Sequence, residues 1–137
     1  MEWMLMPYRR YADFSGRSRR KEYWMFQLLF WLVILAITFL FGVVDSTNST
    51  NSAAEFITGI GGVFVALFFL GSLIPMIAVT VRRLHDQNKS GWYYLLGLIP
   101  YIGGLIMLFF MCTRGTDGAN QYGPDPFDPD FDASVFA

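Results

Sequence analysis

The sequence predicts an all-α integral membrane protein with three transmembrane helices, at about residues 24–44, 57–81 and 92–112, preceded by an interfacial N-terminal segment. Three observations lead there. The stretches Trp24–Val44, Ile57–Val81 and Trp92–Cys112 contain no charged residue, and at a rise of about 1.5 Å per residue each is long enough for a hydrocarbon core of roughly 30 Å. Nine of the ten Lys and Arg lie before the first stretch or between the second and third, with Arg114 the exception. Cytoplasmic segments carry such an excess of cations, so the N-terminus is expected in the cytoplasm. Charged residues make up 15% of the chain, against roughly 25% in soluble domains, as lipid-facing surface requires.

Residues 1–23 interleave Trp3, Tyr8, Tyr11 and Phe14 with Arg9, Arg10, Arg17, Arg19, Arg20 and Lys21. Amphipathic rings beside cations suit the headgroup layer. Pro7 is expected to confine any helix there to a start near itself. Ser18 is expected to N-cap the first span, with Trp24 in the interfacial belt. That span is too long for a signal-peptide core of about 7–15 residues. A short polar loop, residues 45–56, makes the first two helices antiparallel neighbours. Its Asn48-Ser49-Thr50 matches a glycosylation acceptor, a match that so polar a loop produces by chance.

The second span carries Gly59, Gly61, Gly62, Ala66, Gly71 and Ser72, small residues that let helices approach closely in lipid and so favour a homo-oligomer or a membrane-protein partner. Pro75 removes one backbone hydrogen bond and is expected to kink it. The third span holds Pro100 between glycines. Either it crosses and leaves the tail outside, or it breaks at Pro100, re-enters and leaves the tail inside. Crossing is the expectation, placing the C-terminus outside. Residues 1–126 read as one membrane domain and 127–137 as an acidic Pro- and Asp-containing tail. Asp128, Asp130 and Asp132 open like a calcium loop, but Ala133 replaces the needed Gly. One His and one Cys build no zinc site, so neither a metal nor a cofactor is expected.

Three segments could carry chemistry. In Arg82-Arg83-Leu84-His85-Asp86, a continuing helix puts Arg82, His85 and Asp86 on one face. Arg82 or Arg83 would then bind a phosphate or carboxylate, with His85, oriented by Asp86, as acid/base. The plainer alternative is an orientation-setting basic loop with a structural His85–Asp86 pair. Asn88–Gly91 supplies a turn, and Ser90 an N-cap. In Phe14–Trp24, four cations in five positions cannot face one partner. Some must spread along headgroups while others meet Glu22 or Asp86. The third segment, Arg114–Pro126, has the glycines and prolines of an ordered loop. Beside a spanning helix, lipid explains the aromatic and basic arm better than nucleic acid does.

Taken in order, Phe14-x-Gly16-Arg17-x-Arg19-Arg20-x-Glu22-Tyr23-Trp24, Arg82-Arg83-Leu84-His85-Asp86 with Ser90-Gly91-Trp92, Pro100-x-Ile102-Gly103 and Gly115-Thr116-x-Gly118-x-Asn120-x-Tyr122-Gly123-x-Asp125-Pro126 resemble the bacterial inner-membrane proteins grouped as domain of unknown function 805. The resemblance spans about residues 10–126 and departs in the turn, where Gln87-Asn88 follows the His-Asp pair. It implies location and architecture, and no catalytic residue. The functional expectation is a non-catalytic binding or accessory protein. Its basic rim (Arg17, Arg19, Arg20, Arg82, Arg83, Trp24 and Trp92) would engage anionic lipid headgroups or a partner. The alternatives are a lipid or headgroup enzyme working through His85 and Asp86, and an oligomeric transporter subunit.

Overall fold

A computed structural model describes residues 2–47 and 52–126, with side chains for 4–43 and 59–126. The Asn48-Ser49-Thr50 acceptor match and the Asp128–Asp132 spacing lie outside the described residues. All regular elements among the described residues are helical: α1 (Glu2–Arg9), α2 (Arg20–Thr47), α3 (Ser52–Asp86), the 3₁₀ helix η1 (Gly91–Leu98) and α4 (Gly103–Cys112). Residues up to Phe26 together with those from Pro75 onward form one compact unit, and Gln27–Ile74 form another.

In the second unit, Phe30 stacks on Phe68 at 5.5 Å and touches Phe69 at 6.1 Å, while Phe41 stacks on Phe64. Gly61 lies against Phe41, where an added Cβ would stand 2.5 Å from the ring. Much of the remaining apolar surface is bare: Leu35, Phe39, Leu40 and Leu67 are all more than 60% exposed. Helices α2 and α3, of 28 and 35 residues, are about 42 and 52 Å long. Only 11% and 22% of their most apolar windows are buried. A soluble core helix of that hydropathy would be largely covered, so these are lipid-facing spans. Inside α2, the Thr38 hydroxyl donates back to the Ile34 carbonyl at 2.9 Å, which satisfies it without water.

The third apolar stretch differs from a single span. It divides at Pro100, as one alternative holds, and doubles back. An added Cβ on Gly103 would meet the Leu96 carbonyl at 2.5 Å, and one on Gly97 would meet Met107 at 3.1 Å. Tyr93 touches Phe110, and Lys89 sits 4.9 Å over the same ring. As one partner moves forward along the chain the other moves back, which defines an antiparallel hairpin. Its tip turns at Tyr101, which has φ +66° and is 99% exposed. With 8 residues of 3₁₀ helix and 10 of α-helix, each arm is about 15 Å long, half a hydrocarbon core. Residues 92–112 therefore form a broken hairpin and not one continuous helix. Pro100 and the left-handed Tyr101 end one helix, and Gly103 allows the other to pack closely against it.

Two smaller expectations also change. Helix α1 runs through Pro7 instead of starting there. The ring removes one helical donor from an eight-residue helix, and Pro7 is itself fully buried. Ser18 lies one residue too early to cap α2. Its hydroxyl donates to Glu22 at 2.7 Å, while its N–H donates to the Arg82 carbonyl. Pro75 lies within α3.

Candidate functional site

The end of α3 is built to hold charge away from water. Helix carbonyls point out of its last turn and carry partial negative charge. Asp86 adds a carboxylate there, and two guanidiniums offset it. Arg17 Nε donates to Asp86 Oδ1 at 3.0 Å, and Arg83 donates to Oδ2. All three side chains are 2% exposed or less. Arg17 also donates to the carbonyls of Thr116 and Gly118, both at 2.6 Å, and Arg83 to the Thr113 carbonyl. The fork geometry of Arg suits this work, since one cation bridges a carboxylate and several carbonyls.

A second buried pair lies one residue earlier. Arg82 donates to Glu22 Oε1 at 2.9 Å and to the Asp13 carbonyl at 2.7 Å. The Ser18 hydroxyl satisfies the other Glu22 oxygen. The two pairs together draw the 10–22 arm and the 113–120 loop onto α3. That loop completes the helix end: the Thr116 N–H donates to the Asp86 carbonyl at 2.8 Å, and Asn120 Nδ2 to the His85 carbonyl at 2.9 Å. Asn88 takes the left-handed conformation, φ +57°, which glycine fills at many helix ends. Two glycines are required. Gly16 adopts φ +76° while buried, and Gly115 passes so close to Asp86 that a Cβ would strike the carboxylate.

Asp13 shows the same logic at the edge of the arm. Burial pushes its carboxyl up, but the Ser15 N–H and the Arg10 guanidinium outweigh it and hold it below its ordinary 3.8.

The expected site residues therefore separate. Arg17, Arg82 and Arg83 are brought together but face inward onto carboxylates and carbonyls, leaving them poorly placed to grip a phosphate. Of the arm cations, Arg17 meets Asp86 as expected, while Arg82 of α3 holds Glu22. The His85–Asp86 pairing is corrected: both Asp86 oxygens are engaged by arginines, while the imidazole stacks on Tyr122 at 3.9 Å and 2°. The acid/base alternative loses its orienting carboxylate. Arg19 and Arg20 line, with Lys21 and Arg114, a cavity of about 340 Å³. Trp24 is 40% exposed and edge-on to Tyr23, and Trp92 is 78% exposed. Ser90 caps η1 as expected, accepting from the Trp92 N–H.

Sequence reasoning did not place the carbonyls of Thr113, Thr116 and Gly118 in the cluster, nor Tyr122 on His85. Backbone acceptors leave no mark in residue type. The glycines of the 114–126 segment were the available signal.

Two lipid-facing helices, a broken apolar hairpin and a buried ionic cluster define a small helical integral membrane protein. The chain belongs to the family described as "Protein of unknown function (DUF805)", whose model matches residues 11–124. It is 42% identical over 126 residues to the inner membrane protein YhaH of Escherichia coli (strain K12), covering 92% of this chain and 97% of that one. It is 39% identical over 127 residues to the inner membrane protein YhaI of the same strain, covering 92% and 96%. No solved structure matches the chain.

Proposed function

We propose that this inner-membrane protein is non-catalytic, and that Arg19, Arg20, Lys21 and Arg114 engage the phosphates of anionic lipid headgroups at its cytoplasmic rim. The observation that carries the reading is the division among the cations. Three arginines are buried against internal acceptors, while these four line one cavity of about 340 Å³. The Arg114–Asp117 pair does not compete strongly, since both side chains are at least 75% exposed and such pairs contribute little.

The hairpin supports a revised topology. Its two feet are Ser90, where α3 has just ended, and Thr113, whose carbonyl meets Arg83. Residues 113–126 then share the cytoplasmic side with the basic arm, rather than lying outside. All ten Lys and Arg fall on one side, and Arg114 is no longer an exception to the positive-inside pattern.

Native mass spectrometry of the detergent-extracted protein tests the reading, and the same spectrum gives the oligomeric state. The parent is expected to retain phosphatidylglycerol over phosphatidylethanolamine. The triple substitution Arg19→Ala/Arg20→Ala/Lys21→Ala should weaken that preference strongly. At about 1 kcal/mol per surface cation, the ceiling is roughly 100-fold. Equal retention by parent and triple variant would remove the proposal.

A further inference from the structure

We infer that the cavity beside His85 binds a neutral amphiphile: a planar ring carrying carbonyl or phenolic oxygens, on an apolar tail, as in the membrane quinones. This goes beyond the headgroup reading and uses other residues. The cavity measures about 410 Å³ and is walled chiefly by Ile77, Val81, His85, Trp92, Leu95 and Tyr122. That is the size of an ordinary small-molecule site.

Charge selects the class of head. Among the described residues, no Asp, Glu, Lys or Arg lines this cavity. An anionic head would lose its hydration there without a counter-ion, at a large cost. Arg17 and Arg83, the cations of the neighbouring cluster, are already held by Asp86.

Flat surfaces select its shape. The Tyr122 ring lies parallel on His85, and Trp92, Tyr94 and this stack present three aromatic groups to one space. Trp92 is 78% exposed, so no protein group covers most of its indole. A planar ring gains from such faces by offset or edge contact.

Polar atoms select the oxygens. His85 Nε2 is directed toward Gly91, 3.7 Å from where a Cβ would stand, and Gly91 is itself part of the wall. The Gly16 backbone bonds to the imidazole, and Nδ1 is buried away from the cavity. An imidazole held on that side presents Nε2 alone to the cavity, for one hydrogen bond with a ligand oxygen. The Ser90 hydroxyl accepts from the Trp92 N–H and keeps its own proton for an oxygen of the ligand.

The tail follows from spacing. Ile77, Val81 and His85 are successive fourth residues of α3, so they form one stripe about 12 Å long. The stripe runs from the lipid-facing part of the helix to the charged rim. Leu95 extends the apolar wall. A tail laid along Ile77 and Val81 brings its head to His85.

Isothermal titration of the full chain in detergent with a decyl-substituted benzoquinone tests this, with decylbenzene as the oxygen-free control. One saturable site is expected for the quinone and none for decylbenzene. Leu95→Trp, which fills the cavity from a half-exposed position, and His85→Leu should each weaken binding tenfold or more. His85→Gln, which keeps a hydrogen-bonding end, should stay within threefold of the parent. Arg19→Ala/Arg20→Ala/Lys21→Ala should leave quinone binding unchanged, which separates this site from the headgroup cavity. Each variant is first matched to the parent in elution volume and melting temperature. If His85→Leu does not fold, Leu95→Trp decides. The inference is overturned by absence of saturable quinone binding, by equal affinity for decylbenzene, by unaltered affinity in Leu95→Trp, or by displacement of the quinone by phosphatidylglycerol.

Discussion

Asp86→Asn is the sharpest perturbation of the ionic cluster. The substitution keeps the side chain's shape but removes its charge, leaving the guanidiniums of Arg17 and Arg83 at 2% exposure or less with no counter-charge on residue 86. Removing one partner of a buried pair costs about 3–5 kcal/mol, because the remaining charge stays dehydrated. For a chain between the size classes usually tabulated, about 4 °C per kcal/mol gives a melting decrease of about 12–20 °C. Fluorescence-detected gel filtration after heating in detergent reads this directly. A double-mutant cycle identifies the cause. Arg17→Met alone should cost less, since Arg83 still holds the carboxylate. Arg17→Met/Asp86→Asn should be less destabilised than the sum of the singles by about 0.5–3 kcal/mol. A melting change within about 4 °C for Asp86→Asn, or strict additivity in the double variant, would refute the reasoning.

Gly115→Ala should destabilise as a displaced carboxylate does, since its Cβ would take the place of the Asp86 side chain. Its loss should shrink in an Asp86→Ala background, again measured by melting. A thiol placed at the exposed position 121 (Gln121→Cys in Cys112→Ser) should resist an impermeant maleimide on intact cells and react after permeabilisation; labelling of intact cells would put the loop outside. Asp13 is held below 3.8 by Ser15 and Arg10. Its stabilisation is therefore complete above 3.8 and lost as pH falls through the lower folded value. Melting followed from pH 5 downward should lose part of its acid slope in Asp13→Asn.

The two long spans were legible because composition alone carries them: lipid selects for apolar side chains at most positions of 24–44 and 57–81. Ser90 and Asn88 were legible for the same local reason, since cap and turn chemistry acts within three residues. The third apolar stretch was harder. Its length fits a crossing, and whether Pro100 kinks or reverses the chain depends on Tyr101 adopting a left-handed conformation and on Gly103 meeting Leu96. Those are tertiary facts. In the charged rim, the motif order showed that Arg17, Arg82, Arg83 and Asp86 matter without showing which way they face. Helical spacing put His85 and Asp86 near one another, but it could not show that Arg17, 69 positions away, takes one of the carboxylate oxygens.

Arg17 bonds to Gly118 across 101 positions. The chain is made in order, so the arm and α2 leave the ribosome long before residues 113–118 exist. While α2 enters the bilayer, Arg17 has none of its final acceptors and is a bare cation in solution. Under the positive-inside rule, charges still open to the membrane's field at that moment bear on orientation. Only after the loop emerges does Arg17 withdraw between Asp86 and the late carbonyls. One side chain thus acts first as a signal read during insertion and then as a fastening in the finished protein, in an order imposed by translation.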